Sequence, residues 1–86
     1  MKIPEREQHV MLHFDDELDT SGLICPMPVM RIKKALKGLS SGQVLHVIAT
    51  DPASADDIPD LLDTTGDRLL ESCGNSGSYH FYIKKR

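Results

Sequence analysis

Cys25 is the side chain in this sequence best placed to do chemistry. It stands in Gly22-Leu23-Ile24-Cys25-Pro26-Met27-Pro28, and a run with helical periodicity follows at once. Val29, Ile32, Leu36 and Leu39 recur at the three-and-four spacing of one buried helix face. The spacing predicts a helix from about Pro26 to Leu39, stopped by Ser40-Ser41-Gly42. Proline suits a first helical position, because its ring presets φ and its missing N–H would have no partner there. Cys25 is then expected at or beside the N-cap, where it meets the free N–H ends of the first turn. Pro28 removes one of those donors, which leaves the Met27 and Val29 amides as the ones expected to matter. A free thiol titrates near about pH 8.5, and the thiolate is the nucleophile. The positive end of the helix dipole is expected to lower that value, with Arg31 and Lys34 adding positive potential. No histidine neighbours the cysteine in sequence to act as a base. That points away from acyl transfer, which needs a base and an oxyanion hole, and towards thiol exchange, where a thiolate suffices. The plain alternative is a small buried hydrophobe, as many free cysteines are.

The same stretch, Gly22-Leu23-x-Cys25-Pro26-x-Pro28, resembles the CPxP motif of the TusA/SirA family of small sulfur-carrier proteins. The resemblance continues through Ala49-Thr50-Asp51-Pro52-Ala53, Asp57-Ile58-Pro59 and the closing Tyr79-His80-Phe81-Tyr82-Ile83-Lys84-Lys85. It covers nearly everything from Leu18 onward. It implies that Cys25 carries sulfane sulfur as a persulfide, with Gly22, Pro26 and Pro28 supporting the motif. It also implies a sulfur-donor protein, of cysteine desulfurase or rhodanese type, and a sulfur-acceptor protein. The pathways implied are tRNA thiolation, molybdenum-cofactor assembly and sulfur oxidation.

The bulk properties set bounds on function. A chain of 86 residues holds one domain with a modest core. It is 40% hydrophobic and 27% charged, the balance of a soluble globular protein, and at 5% aromatic its core must be mainly aliphatic. The net charge of -3 argues against a general nucleic-acid or membrane-surface binder. No apolar run is long enough for a membrane span or a signal peptide. Two cysteines without framework spacing fit a reducing, cytoplasmic setting. They do not form Cys-x-x-Cys, and the four histidines lack zinc-site spacing with them, so no metal or cofactor is expected.

The elements that must position Cys25 follow in order. Residues 1–13 are polar and mixed in charge and read as a flexible arm, with residues 14–86 as one domain. His13 to Asp19 reads as a first strand, with Leu12, Phe14 and Leu18 on one face and Asp15, Glu17 and Asp19 on the other. Thr20-Ser21-Gly22 supplies the turn, where Gly22 is a candidate for an unusual φ. The outer face of the first helix carries Arg31, Lys33, Lys34 and Lys37. These are either a solvated face or, with Met27, a docking patch for a partner. Val44 to Ala49 is the clearest strand: Leu45, Val47 and Ala49 should face the helices, and Val44, His46 and Ile48 the other way.

Asp51-Pro52 ends that strand. Ser54 followed by Asp57 resembles a capping box, and Ile58, Leu61, Leu62 and Thr65 repeat at helix spacing before Gly66. Pro59 conflicts with a helix starting at Ser54, so the main helix is expected near Asp57 or after a short turn. Asp56, Asp57, Asp60 and Asp63 read as a solvated acidic face. Arg68 to Cys73 and Ser78 to Lys85 form a hairpin around Gly74-Asn75-Ser76-Gly77, with Cys73 near a strand end. The order is β-α-β-α-β-β. The expected class is α+β: a two-layer α/β sandwich with a four-stranded mixed sheet and both helices on one face. Besides a sulfur carrier, two readings stay open: a non-catalytic regulatory or partner-binding module, and a redox sensor in which Cys73 resolves Cys25.

Overall fold

The sheet is built around the strand with the most apolar alternation, Val44–Ala49. The computed structural model describes residues 13–75 and 77–86, so the arm expected over residues 1–13 lies, but for His13, outside the described residues. The elements are β1 (Asp16–Thr20), α1 (Met27–Lys37), β2 (Val44–Ala49), α2 (Pro52–Thr65), β3 (Arg68–Asn75) and β4 (Ser78–Lys84). The sheet order is β1-β2-β4-β3. β2 pairs in parallel with β1, Leu18 opposite Val47, and antiparallel with β4, Val47 opposite Phe81. A parallel pair needs a crossover rather than a tight turn, and α1 is that crossover.

Alternation on β2 and β4 sends Leu45, Val47, Ala49, Phe81 and Ile83 to one face. Ile32 and Leu36 of α1 and Ile58 and Leu62 of α2 join them in a single buried cluster. Both helices therefore cover the same face, the expected two-layer α+β arrangement. The buried members of this cluster are aliphatic apart from Phe81, and Tyr79 packs against them.

Both helices differ in detail from the sequence reading. α1 ends at Lys37 rather than Leu39, because the amides of Gly38 and Leu39 turn back to Ala35 and Leu36 (3.1 and 3.2 Å), the tighter pattern common at helix ends. α2 starts at Pro52 and runs unbroken through Pro59. Its cap is Asp51, whose carboxylate accepts the Ser54 amide (3.2 Å) and hydroxyl (2.8 Å), so Ser54 is the third-position partner and not the cap. Pro52 occupies the favoured first position. Pro59 costs the helix one internal hydrogen bond. The cap and the buried stripe of Ser54, Ile58 and Leu62 offset that loss.

The opposite sheet face holds a second correction. Phe14 does not continue the alternation of Leu18. β1 begins only at Asp16, and the Phe14 ring lies 5.1 Å from His46 and 6.2 Å from Tyr82, on the side away from the helices. His46 is buried there, stacked on Tyr82 (centroids 4.6 Å apart) and on His80 (5.2 Å). His46 Nε2 lies 3.0 Å from His80 Nδ1. Glu17 Oε2 lies 3.2 Å from His46 Nδ1.

Candidate functional site

Cys25 sits in the turn between β1 and α1, and hydrogen bonds to the end of β2 hold that turn. Gly22 has φ +83°, the left-handed conformation glycine adopts without strain. Its amide donates to Thr50 Oγ1 at 2.8 Å. The buried Thr20 hydroxyl donates to the Ile48 carbonyl at 2.6 Å, and the Leu23 amide donates back to the Thr20 carbonyl at 3.1 Å. A cis peptide joins Cys25 to Pro26. Pro28, inside the first turn of α1, is buried against the body of the protein.

The helix cap differs from the sequence reading. Pro26 is the N-cap, and no side chain caps the helix. Cys25 lies one residue further out. The Met27 amide is already donated to the Ile24 carbonyl at 2.9 Å, so it is not offered to the thiol. The cysteine is met by α2 instead. Its backbone amide donates to Asp51 Oδ2 at 2.9 Å, the same oxygen that caps α2 through Ser54. Its Sγ–H donates to Asp57 Oδ2 at 3.3 Å.

These contacts reverse the expected shift of the thiol. The hydrogen bond to Asp57 raises the Cys25 pKa above the ordinary thiol value, and desolvation and the charges of Asp57 and Asp51 push the same way. The dipole expectation fails because the thiol stands outside the cap, beside two carboxylates, and not against free helix amides. The Asp51 carboxyl is held below the usual range by the Ser54 side chain and then by the Cys25 amide.

Cys25 is exposed, and so are the apolar side chains of Ile24 (68%) and Met27 beside it in the chain and of Met30 (57%) in the first turn of α1. Further along α1, Met30, Lys33, Lys34 and Lys37 line one shallow groove, and Arg31 is exposed beside them. The structure thus brings Cys25, Gly22, Pro26, Met27 and Pro28 together, with the four cations on the helix leading away. Cys73 is a free, half-buried thiol on β3 opposite His80, and it is not bonded to Cys25. Among the described residues no three His, Cys, Asp or Glu side chains converge to hold a metal ion, and no helix is long and apolar enough to cross a membrane.

Sequence reasoning missed Asp51 as the acceptor of the Cys25 amide and Asp57 as the acceptor of its thiol. The signal for the first was present: Asp-Pro with Ser at the third helical position is an N-cap pattern. Asp57 was read as part of a solvated face.

The chain is similar to known proteins along most of its length. Residues 16–85 match the family described as "Sulfurtransferase TusA". A sulfur carrier protein TusA of Allochromatium vinosum is 56% identical over 75 residues, spanning 87% of this chain and 99% of that protein. A sulfur carrier protein TusA of Pseudomonas entomophila is 43% identical over 84% of this chain and 90% of its own length. A crystal structure of a SirA-like protein from Desulfitobacterium hafniense superposes with a TM-score of 0.72 at 28% identity, covering 81% of this chain and 96% of that one. The family match begins at the first residue of β1, takes in the cysteine-bearing turn, and ends one residue beyond β4, so this chain belongs to the TusA sulfurtransferase family.

Proposed function

We propose that this protein is a sulfur carrier that accepts sulfane sulfur as a persulfide on Cys25 and relays it to an acceptor protein. The observation that carries the reading is the setting of the sulfur. It is exposed on a hydrogen-bonded turn, in a chain whose relatives are named sulfur carriers. An exposed thiol with an apolar rim and a charged helix beside it suits a reactant delivered on another protein.

The chemistry is thiol exchange with one extra sulfur. The Cys25 thiolate attacks the outer sulfur of a donor persulfide, the donor S–S bond breaks as the new one forms, and the donor thiolate leaves and takes up a proton. Delivery is the same exchange run towards an acceptor thiol. Gly22, Pro26 and Pro28 shape the turn. Met27, Arg31, Lys33, Lys34 and Lys37 form the docking face, and residues 14–86 act as one unit. The donor is a cysteine desulfurase or rhodanese type of protein. The acceptor belongs to tRNA thiolation, molybdenum-cofactor assembly or sulfur oxidation.

A relay assay tests the role. Carrier loaded by a cysteine desulfurase with cysteine, then freed of donor and small molecules, should pass its sulfur to a second protein thiol. A carrier that accepts sulfur but yields it only to a strong reductant would contradict the relay.

A further inference from the structure

Cys25 keeps its proton against a carboxylate. The Sγ–H donates to Asp57 Oδ2 at 3.3 Å, and Asp57 is half-buried on α2. A carboxylate is a far weaker base than a thiolate, so the proton of this pair rests on sulfur. The contact holds the reactive group in its unreactive form. The charges acting on the sulfur are Asp57 and Asp51, from α2 and its cap. Asp19, at the end of β1, is taken up by Ser21, whose amide it accepts at 2.9 Å. Among the described residues the close contacts between basic and acidic side chains are His13–Asp15 and His46–Glu17, so within that set no Lys, Arg or His side chain meets Asp57 or Asp51.

We propose that Asp57 is a proton lock on Cys25, opened when a partner protein sets a cationic side chain against that carboxylate. The inference rests on the sulfur-carrier reading and says how the site chooses its partners. A lysine or arginine paired with Asp57 removes the acceptor of the S–H bond and neutralises the charge beside the sulfur, so a thiolate forms at neutral pH. The proton lost from Cys25 is matched by one gained by the departing donor thiolate. One S–S bond breaks and one forms, with no net oxidation. A small thiol or oxidant brings no such cation and leaves the lock closed. The site is bipolar, with carboxylates on α2 and cations on α1, so the complementary partner carries a basic group beside its persulfide and acidic groups further out.

The test uses the full chain with Cys73→Ser, so that only Cys25 reacts. Iodoacetamide alkylation is followed against pH in this background and with Asp57→Asn. The lock predicts a pH midpoint moved down in Asp57→Asn, with the rate at pH 7 rising about tenfold for each unit moved. Asp57→Ala, favourable in a helix, should do the same and covers poor folding of the asparagine variant. A midpoint unchanged or raised in both overturns the lock. The cation is tested with two synthetic peptides bearing a cysteine persulfide flanked by arginines or by glutamates. The protein with Asp57 intact should take sulfur faster from the arginine peptide at low salt, and Asp57→Asn should narrow that ratio. Equal rates with Asp57 intact, or a ratio untouched by Asp57→Asn, overturn selection by a cation. Alkylation involves no sulfur transfer, so failure of the carrier reading, seen as no sulfur on Cys25 from either peptide, is distinct from failure of the lock. It would also remove the ground for the partner's cation.

Discussion

Replacing Gly22 by alanine isolates the backbone demand of the cysteine turn from its chemistry. Gly22 has φ +83°, and a Cβ built there meets nothing within 4 Å. The substitution therefore causes no clash, and its cost is the left-handed conformation itself, about 1–2 kcal/mol for an L-residue. Alanine also narrows the unfolded ensemble, which returns about 0.4–1 kcal/mol. The net expectation is a loss of about 1 kcal/mol, or a melting point lower by roughly 4–8 °C in a domain of this size. Gly38 is the control. It caps α1 at φ -87°, and its added Cβ would meet only the Ala35 carbonyl, at an ordinary 3.6 Å. There the backbone term vanishes, and Gly38→Ala should stabilise by about 0.4–1 kcal/mol. Thermal and urea unfolding followed by circular dichroism should give the two variants opposite signs. Equal shifts, or a neutral Gly22→Ala, would refute the claim that the motif glycine is there for its φ.

Two further expectations follow from the surface and the buried histidine. Reversing Lys33 and Lys34 to glutamate should slow sulfur exchange with a protein partner while leaving the fold intact, and the loss should shrink as salt shortens the range of exposed charges; unchanged rates at low salt would return this face to ordinary solvated surface. Burial holds His46 below the usual imidazole range, opposed by Glu17 and reinforced by His80. Below about pH 6.5 the unfolded chain therefore binds a proton that the folded chain resists, so stability is full above that pH and falls as pH drops. Unfolding free energy measured across this window should fall less steeply in His46→Phe, and identical slopes would show that His46 is not the acid-sensitive group.

Much of the architecture was legible because it repeats along the chain. Leu45, Val47 and Ala49 alternate with period two, as do Tyr79, Phe81 and Ile83. Ile32 with Leu36, and Ile58 with Leu62, recur at one turn. Those periods place strands and helices and, with the element order, the two-layer sandwich. Phe14 broke the pattern because pairing begins two residues later, at Asp16, leaving its ring free to cross to His46. Pro59 looked like a helix breaker because a local rule cannot weigh one lost bond against a cap at Asp51 and a buried stripe. The site was legible only to the extent that it is contiguous. The motif from Gly22 to Pro28 and the cysteine within it stand together in sequence. Asp57 lies 32 residues from Cys25, and only the packing of α2 beside the turn joins them. The helix-dipole argument therefore set Cys25 in the wrong field, because the charges acting on it belong to another helix and its cap.

The most direct test of the central claim is where the sulfur goes. The full chain, incubated with a persulfide donor and examined by intact and peptide mass spectrometry, should gain one sulfur atom's mass, removable by reductant, on the peptide containing Cys25. Cys25→Ser should abolish the adduct, since a hydroxyl at neutral pH supplies neither the thiolate nor the S–S bond, and Cys73→Ser should leave it intact. An adduct that maps to Cys73, or that survives in Cys25→Ser, would contradict the account at its central residue. A product that is only a Cys25–Cys73 disulfide would replace it with a redox sensor.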